Sequence, residues 1–82
     1  MLNPYITDKE YTDLRSRLVK SRDAIYKAYE KSRELSRLLS QNDPIQQYDE
    51  VKTIEHKLWE NYCSINTLVI RLDREYSKLN NL

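Results

Sequence analysis

The sequence predicts an all-α fold: an antiparallel, coiled-coil-like two-helix hairpin that dimerises into a four-helix bundle. Three observations predict it. Glycine is absent and proline occurs only twice among 82 residues, so almost nothing in the chain opposes a helix. Two long stretches repeat apolar residues at alternating spacings of three and four, the stripe of a helix that packs along a second helix. One cluster of turn signals, Ser40-Gln41-Asn42-Asp43-Pro44, stands between them.

Helix one is expected over about 7–40. Thr7 is placed to cap it, Glu10 completes a capping box, and Ile6 is placed to staple onto Tyr11. Its inward stripe reads Tyr11, Leu14, Leu18, Ser21, Ile25, Ala28, Ser32, Leu35 and Leu39. The turn is expected at 41–43. Asp43 reads as the next cap, Pro44 suits the first helical position, where its missing N–H is harmless, and Gln46 sits where a capping-box partner belongs. Helix two then spans about 44–80. Its inward face is Tyr48, Val51, Ile54, Leu58, Tyr62, Ile65, Leu68, Val69, Leu72, Tyr76 and Leu79, and Asn80-Asn81 lets it fray.

So short a loop makes the helices antiparallel neighbours. Folding about Asn42 sets Ser21 opposite Tyr62, Ser32 opposite Val51 and Ala28 near Trp59, and brings Tyr5 and Ile6 against Tyr76 and Leu79. At ~1.5 Å per residue the single domain, residues 1–82, is a rod on the order of 50 Å long.

A chain this short has difficulty burying enough apolar surface alone. Cys63 is the only cysteine and His56 the only histidine, so neither a disulfide nor a structural metal is expected to help, and no cofactor is expected. Oligomerisation or close helix packing remains. Met1 to Glu10 lacks the cationic end and apolar run of an export signal, and the longest aliphatic run is Leu68-Val69-Ile70, so the expected location is the cytoplasm, without membrane insertion. Catalysis is not expected. A phosphate-cradling loop needs glycine, and His56 and Cys63, seven residues apart on one helix, are separated by about 10 Å, beyond the reach of a nucleophile and its base. His56 reads as a surface or seam residue and Cys63 as a small buried hydrophobe.

A hairpin buries one stripe per helix, so further apolar residues need another partner. Trp59, Cys63 and Ile70 are displaced from the inward stripe of helix two, and Val19, Tyr26 and Leu38 lie beside the seam of helix one. These six are the expected partner or dimer interface, unless they only widen the hairpin core. Charge is also uneven. Arg15, Arg17, Lys20, Arg22, Lys27, Lys31, Arg33 and Arg37 outnumber the acids of helix one, whereas Asp43, Asp49, Glu50, Glu55 and Glu60 dominate the start of helix two. Cross-helix complementarity accounts for this, with both signs suiting the helix dipoles. The alternative is a nucleic-acid face formed by Arg15, Arg22, Tyr26, Lys27 and Arg33, in a dimer similar in architecture to the plasmid Rop protein.

In its size, its charge-rich helical character and its glycine-free composition heavy in Lys, Asn and Tyr, the whole chain resembles the cytoplasmic antiholins of T-even phages encoded by the third rapid-lysis locus. The resemblance rests on profile, without a motif, and carries no residue's role across. It implies a protein that binds the cytoplasmic N-terminal segment of a phage holin and delays host lysis. The leading expectation is therefore a non-enzymatic helical protein-binding regulator. A dimeric RNA- or DNA-binding bundle and a structural coiled-coil assembly component are the alternatives.

Overall fold

Thr7 starts the first helix through two reciprocal hydrogen bonds. Its hydroxyl accepts the Glu10 N–H at 3.1 Å, and the Glu10 carboxylate accepts the Thr7 N–H at 3.2 Å. Asp8 and Glu10 place negative charge in this first turn, where the helix dipole favours it. The computed structural model describes residues 6–80 and consists of α1 (Asp8–Gln41) and α2 (Tyr48–Asn80), with no strand among the described residues. The two helices pack side by side as a hairpin measuring 60 × 17 × 14 Å. Among the described residues no helix is long and apolar enough to cross a membrane.

The connection is longer than the expected turn, because α2 starts at Tyr48 and not at Pro44. Pro44 serves a β-turn instead, closed by the Gln46 N–H donating to the Asp43 carbonyl at 3.3 Å. Gln46 then adopts φ 56°, a left-handed conformation that no helix can contain. Asp43 still caps α2, but from outside it: its two carboxylate oxygens accept the N–H groups of Gln47 and Tyr48 at 2.8 and 2.9 Å. Gln47 is the residue whose carbonyl accepts the first helical bond, from Val51.

The later start of α2 shifts the pairing of the helices by about one turn. Tyr62 meets Tyr26 and not Ser21, Trp59 meets Tyr29, and Tyr76 stacks on Tyr11. The expected docking of Tyr5 lies outside the described residues.

The seam also differs in phase from the expected stripe. On α1 it keeps the row Tyr11, Leu18, Ile25, Ser32 and Leu39, but its second row is Arg15, Arg22, Tyr29 and Ser36, one residue beyond Leu14, Ser21, Ala28 and Leu35. On α2, Glu55 takes the place assigned to Ile54, and Val69 is enclosed while Leu68 is exposed. The physical reason is what each phase brings together. The observed one joins Tyr29 to Trp59 and gives Arg15 and Arg22 partners in Asp73 and Asn66, whereas the other would set small Ser21 and Ala28 in the seam. The Tyr29 ring buries more area than the Ala28 methyl it displaces, while Leu14 and Leu35 give way to Arg15 and Ser36.

One seam between two cylinders encloses little. Val69 and Leu72, 4% and 5% exposed, are the only buried hydrophobic residues among those described. Helix dipoles receive less help than expected, since the last turn of α1 contains no basic residue; α2 has Asp49 and Glu50 in its first turn and Lys78 in its last.

Two substitutions test the connection. Asp43→Ala should destabilise the hairpin by about 1 kcal/mol through loss of the cap. Gln46→Gly should stabilise it by about 0.5 to 1 kcal/mol by relieving the left-handed backbone. Urea unfolding followed by circular dichroism reads both, and an unchanged midpoint for either would contradict the connection described.

Candidate functional site

Seven-residue spacing gives each helix a row on either side of the seam. On one side stand Val19, Tyr26 and Arg33 of α1 with Lys52, Trp59, Asn66 and Asp73 of α2. On the other stand Leu14, Ser21, Ala28 and Leu35 with Ile54, Asn61, Leu68 and Glu75. The first flank is aromatic and charged; the second is largely apolar.

At mid-length the aromatic flank holds a closed circuit of four rings. Tyr26 lies 6.0 Å from Tyr29, Tyr29 5.0 Å from Trp59, Trp59 5.3 Å from Tyr62, and Tyr62 5.2 Å from Tyr26, measured between centroids. The cross-helix pairs are tilted at 41° and 47°, an arrangement that sets ring edges against ring faces. The Arg33 guanidinium carbon lies 5.8 Å from the centroid of the Tyr29 ring and adds a cation–π contact.

Toward the connection, Glu55 is a buried carboxylate on the seam itself. Lys52 reaches it at 2.9 Å, Arg33 stands 4.0 Å away, and the Ser36 hydroxyl lies 3.1 Å from it and 3.0 Å from the Arg33 carbonyl, one proton shared between two acceptors. The hydrogen bond from Lys52 holds the Glu55 carboxyl below its ordinary pKa against the opposing effect of burial, and Ser36 and Arg33 add to the lowering. Two adjoining open hollows surround this carboxylate. One, of about 480 Å³, is lined by Arg33, Ser36, Arg37, Tyr48, Lys52 and Glu55 among others; the second, of about 190 Å³, by Tyr29, Lys52, Glu55, His56 and Trp59. Together they form one groove whose rim carries both signs, Arg33, Arg37 and Lys52 beside Glu30 and Glu34, with Glu55 at its floor and an aromatic end.

At the far end of the rod Asp73 is the corresponding hub. Arg15 donates to it at 2.9 Å, and the Tyr11 hydroxyl donates to the same oxygen while its ring stacks on Tyr76 at 3.8 Å. The Arg15 bond, with help from Tyr11, lowers the Asp73 pKa despite desolvation. The bond to Asp73 raises that of Tyr11, because a phenol that donates to a carboxylate resists ionisation.

Of the six residues expected at an interface, Val19, Tyr26, Trp59, Cys63 and Ile70 share the aromatic flank or its outer margin, with Val19 half-buried and the others exposed. Leu38, 53% exposed, sits beside the other flank, three residues beyond Leu35. Cys63 is exposed and not the buried hydrophobe expected, because its position faces outward from the Trp59 row. His56 is exposed and paired with Glu60 at 2.8 Å.

The residues of the nucleic-acid alternative do not converge on one surface. Arg15 is held by Asp73, Arg22 by Asp23 and Asn66, and Arg33 lies beside Glu55, while Lys27 is on the outer face. Cross-helix complementarity between the basic and acidic halves reduces, among the described residues, to Arg33 with Glu55. The sequence singles out neither Ser36 nor Lys52 as a site residue, and it places Tyr29 and Arg37 only within the basic helix. A signal existed in Glu55, which falls in the seven-residue row of Tyr48, Tyr62, Val69 and Tyr76, where a carboxylate is out of character. No group of His, Cys, Asp and Glu among the described residues is arranged to hold a metal ion. Compared with protein-family models, curated proteins and solved structures, the chain matches none.

The two hubs set a pH dependence. Both carboxyls have lower pKa values folded than unfolded, so their contribution is complete above the ordinary carboxylate range near 4 and drains away as pH falls through the depressed values. Tyr11, raised in the folded chain, contributes below about pH 10 and loses that contribution as pH rises. Thermal unfolding from pH 7 to 2 should therefore show a falling midpoint, with less of a fall in Asp73→Asn. A flat profile would contradict both hubs.

At the Glu55 hub, Ser36→Ala alone should cost about 1 kcal/mol. Ser36→Ala combined with Glu55→Leu should restore that loss or exceed it, because an apolar pair avoids desolvating a carboxylate. Urea midpoints of the two variants decide the matter.

Proposed function

We propose that this chain is a non-enzymatic helical protein-binding regulator that captures a short segment of another protein along its aromatic flank. The observation that carries this reading is the groove beside Glu55, continuous with the exposed face of Trp59. Tryptophan, tyrosine and arginine are the side chains that most often dominate binding energy at protein interfaces, and here Tyr29, Arg33 and Trp59 stand within one groove. A rim of mixed charge above the Glu55 carboxylate favours a segment bearing both charges, with one apolar or aromatic side chain to lie against Trp59. A helix laid along the rod satisfies those demands through residues three or four apart.

The resemblance to T-even phage antiholins makes the cytoplasmic N-terminal segment of a phage holin the first occupant to try, with delayed host lysis as the consequence. A fluorescently labelled synthetic peptide of that segment, titrated with the full chain, should show saturable anisotropy. Trp59→Ala with Ile70→Ala should weaken binding at least tenfold while helicity by circular dichroism is retained. Undiminished binding by the double variant would mean that the contact lies elsewhere. Steeply salt-dependent binding of unrelated RNA or DNA would transfer the function to nucleic acid.

A further inference from the structure

Among the described residues nothing covers the flank opposite the aromatic groove. Leu14, Leu35, Leu38, Ile54 and Leu68 are 40%, 47%, 53%, 53% and 44% exposed, and all five lie on or beside this one side of the seam. The exposure is large in aggregate. A folded monomer of 9.9 kDa is expected to expose about 5,200 Å², whereas this chain exposes 6555 Å². That excess belongs to the whole 60 × 17 × 14 Å rod, and it is ample for the roughly 800 Å² that each partner contributes to a stable interface of standard size.

The pattern along the flank identifies the occupant. Its large side chains sit toward the two ends, Leu35, Leu38 and Ile54 near the connection and Leu14 and Leu68 toward the far end, and the waist between them is small or polar: Ser21, Ala28 and Asn61. We infer that this flank binds a second copy of the chain, turned end for end about a two-fold axis that passes close to Asn61. In that arrangement each helix runs antiparallel to its own counterpart. Leu14 meets Leu35 of the second copy, Ile54 meets Leu68, Ser21 meets Ala28, and the two Asn61 amides face each other at the axis. The midpoint of Leu14 and Leu35 on α1 and that of Ile54 and Leu68 on α2 lie at nearly the same level of the rod, within about 4 Å at ~1.5 Å per residue. One axis therefore serves both helices.

A two-fold axis along the rod would instead set Leu14 against Glu75 of the second copy and leave Leu68 over Ser21. The reversed arrangement buries Leu14, Leu35, Ile54 and Leu68 against one another, leaves Leu38 at the rim, and places Asn61 against an identical amide at the centre, a device that fixes register in helical bundles. Charges at the rim are mixed. Glu50 approaches Arg71 of the second copy, and Arg17 approaches Lys31, so attraction and repulsion offset and salt has little effect on the assembly.

Sedimentation equilibrium on the full chain at 5 to 200 μM, values chosen to bracket ordinary dimer affinities, should return about twice 9.9 kDa, with little change between low and high salt. Leu35→Glu with Leu68→Glu should raise the dissociation constant at least a hundredfold. Because the hairpin draws support from the dimer, that variant can lose helicity, so a second test uses cross-linking on a Cys63→Ser background. Asn61→Cys should form an intermolecular disulfide rapidly under mild oxidation, and Tyr26→Cys, on the opposite flank, should not. A strict monomer at the highest concentration overturns the inference and leaves the flank to a foreign partner. Cross-linking as fast through position 26 as through 61 overturns it as well. Neither result touches the proposed segment capture, which has its own peptide titration.

Discussion

Two helices that share a single seam enclose very little, and this constraint governs the molecule. A side chain is fully removed from water only when neighbours surround it, and in a hairpin the neighbours lie on one side. Val69 and Leu72 are buried, and every other large apolar residue described keeps a face in solvent. The chain therefore relies on contacts that tolerate partial exposure: tyrosine rings with wet hydroxyls, arginines lying along the seam, and carboxylates held by two or three donors.

These contacts are spread along the rod and together set its register. The Asp73 hub ties the far end through Tyr11 and Arg15, the four-ring circuit ties the middle, and the Glu55 hub ties the end near the connection. Sliding one helix by a residue would turn Asp73 away from both of its cross-helix donors and Glu55 away from Ser36. An all-leucine seam would penalise such a slip far less, because one leucine replaces another at similar cost. Polar residues here trade some burial energy for a single alignment.

That alignment also separates two surfaces of different chemistry. Packing the rings on one side of the seam leaves leucine and isoleucine on the other, so the flanks differ in what they bind best. An apolar flank with end-to-end pattern symmetry suits an identical copy, whereas a groove with both charges and a free tryptophan suits a segment of unlike sequence. In the four-helix arrangement inferred above, both aromatic grooves face outward on opposite sides, pointing in opposite directions along the bundle. Occupying one flank leaves the other open.

The two helices, their hairpin arrangement and the capping box at Thr7 were legible in the sequence because each depends on local spacing: a chain without glycine, apolar residues at heptad intervals and one cluster of breakers admit few other folds. The start of α2 was not, since Asp43-Pro44 serves a helix cap and a β-turn equally well, and only the left-handed Gln46 distinguishes them. Nor was the seam's phase. Rows three and four residues from the Tyr11 row are both partly apolar, so hydrophobicity alone favours Leu14 and Leu35. Tertiary structure chose Tyr29 and Ser36 because Trp59 and Glu55 await them on the other helix, and the value of a pairing across the seam is not written into either stripe by itself.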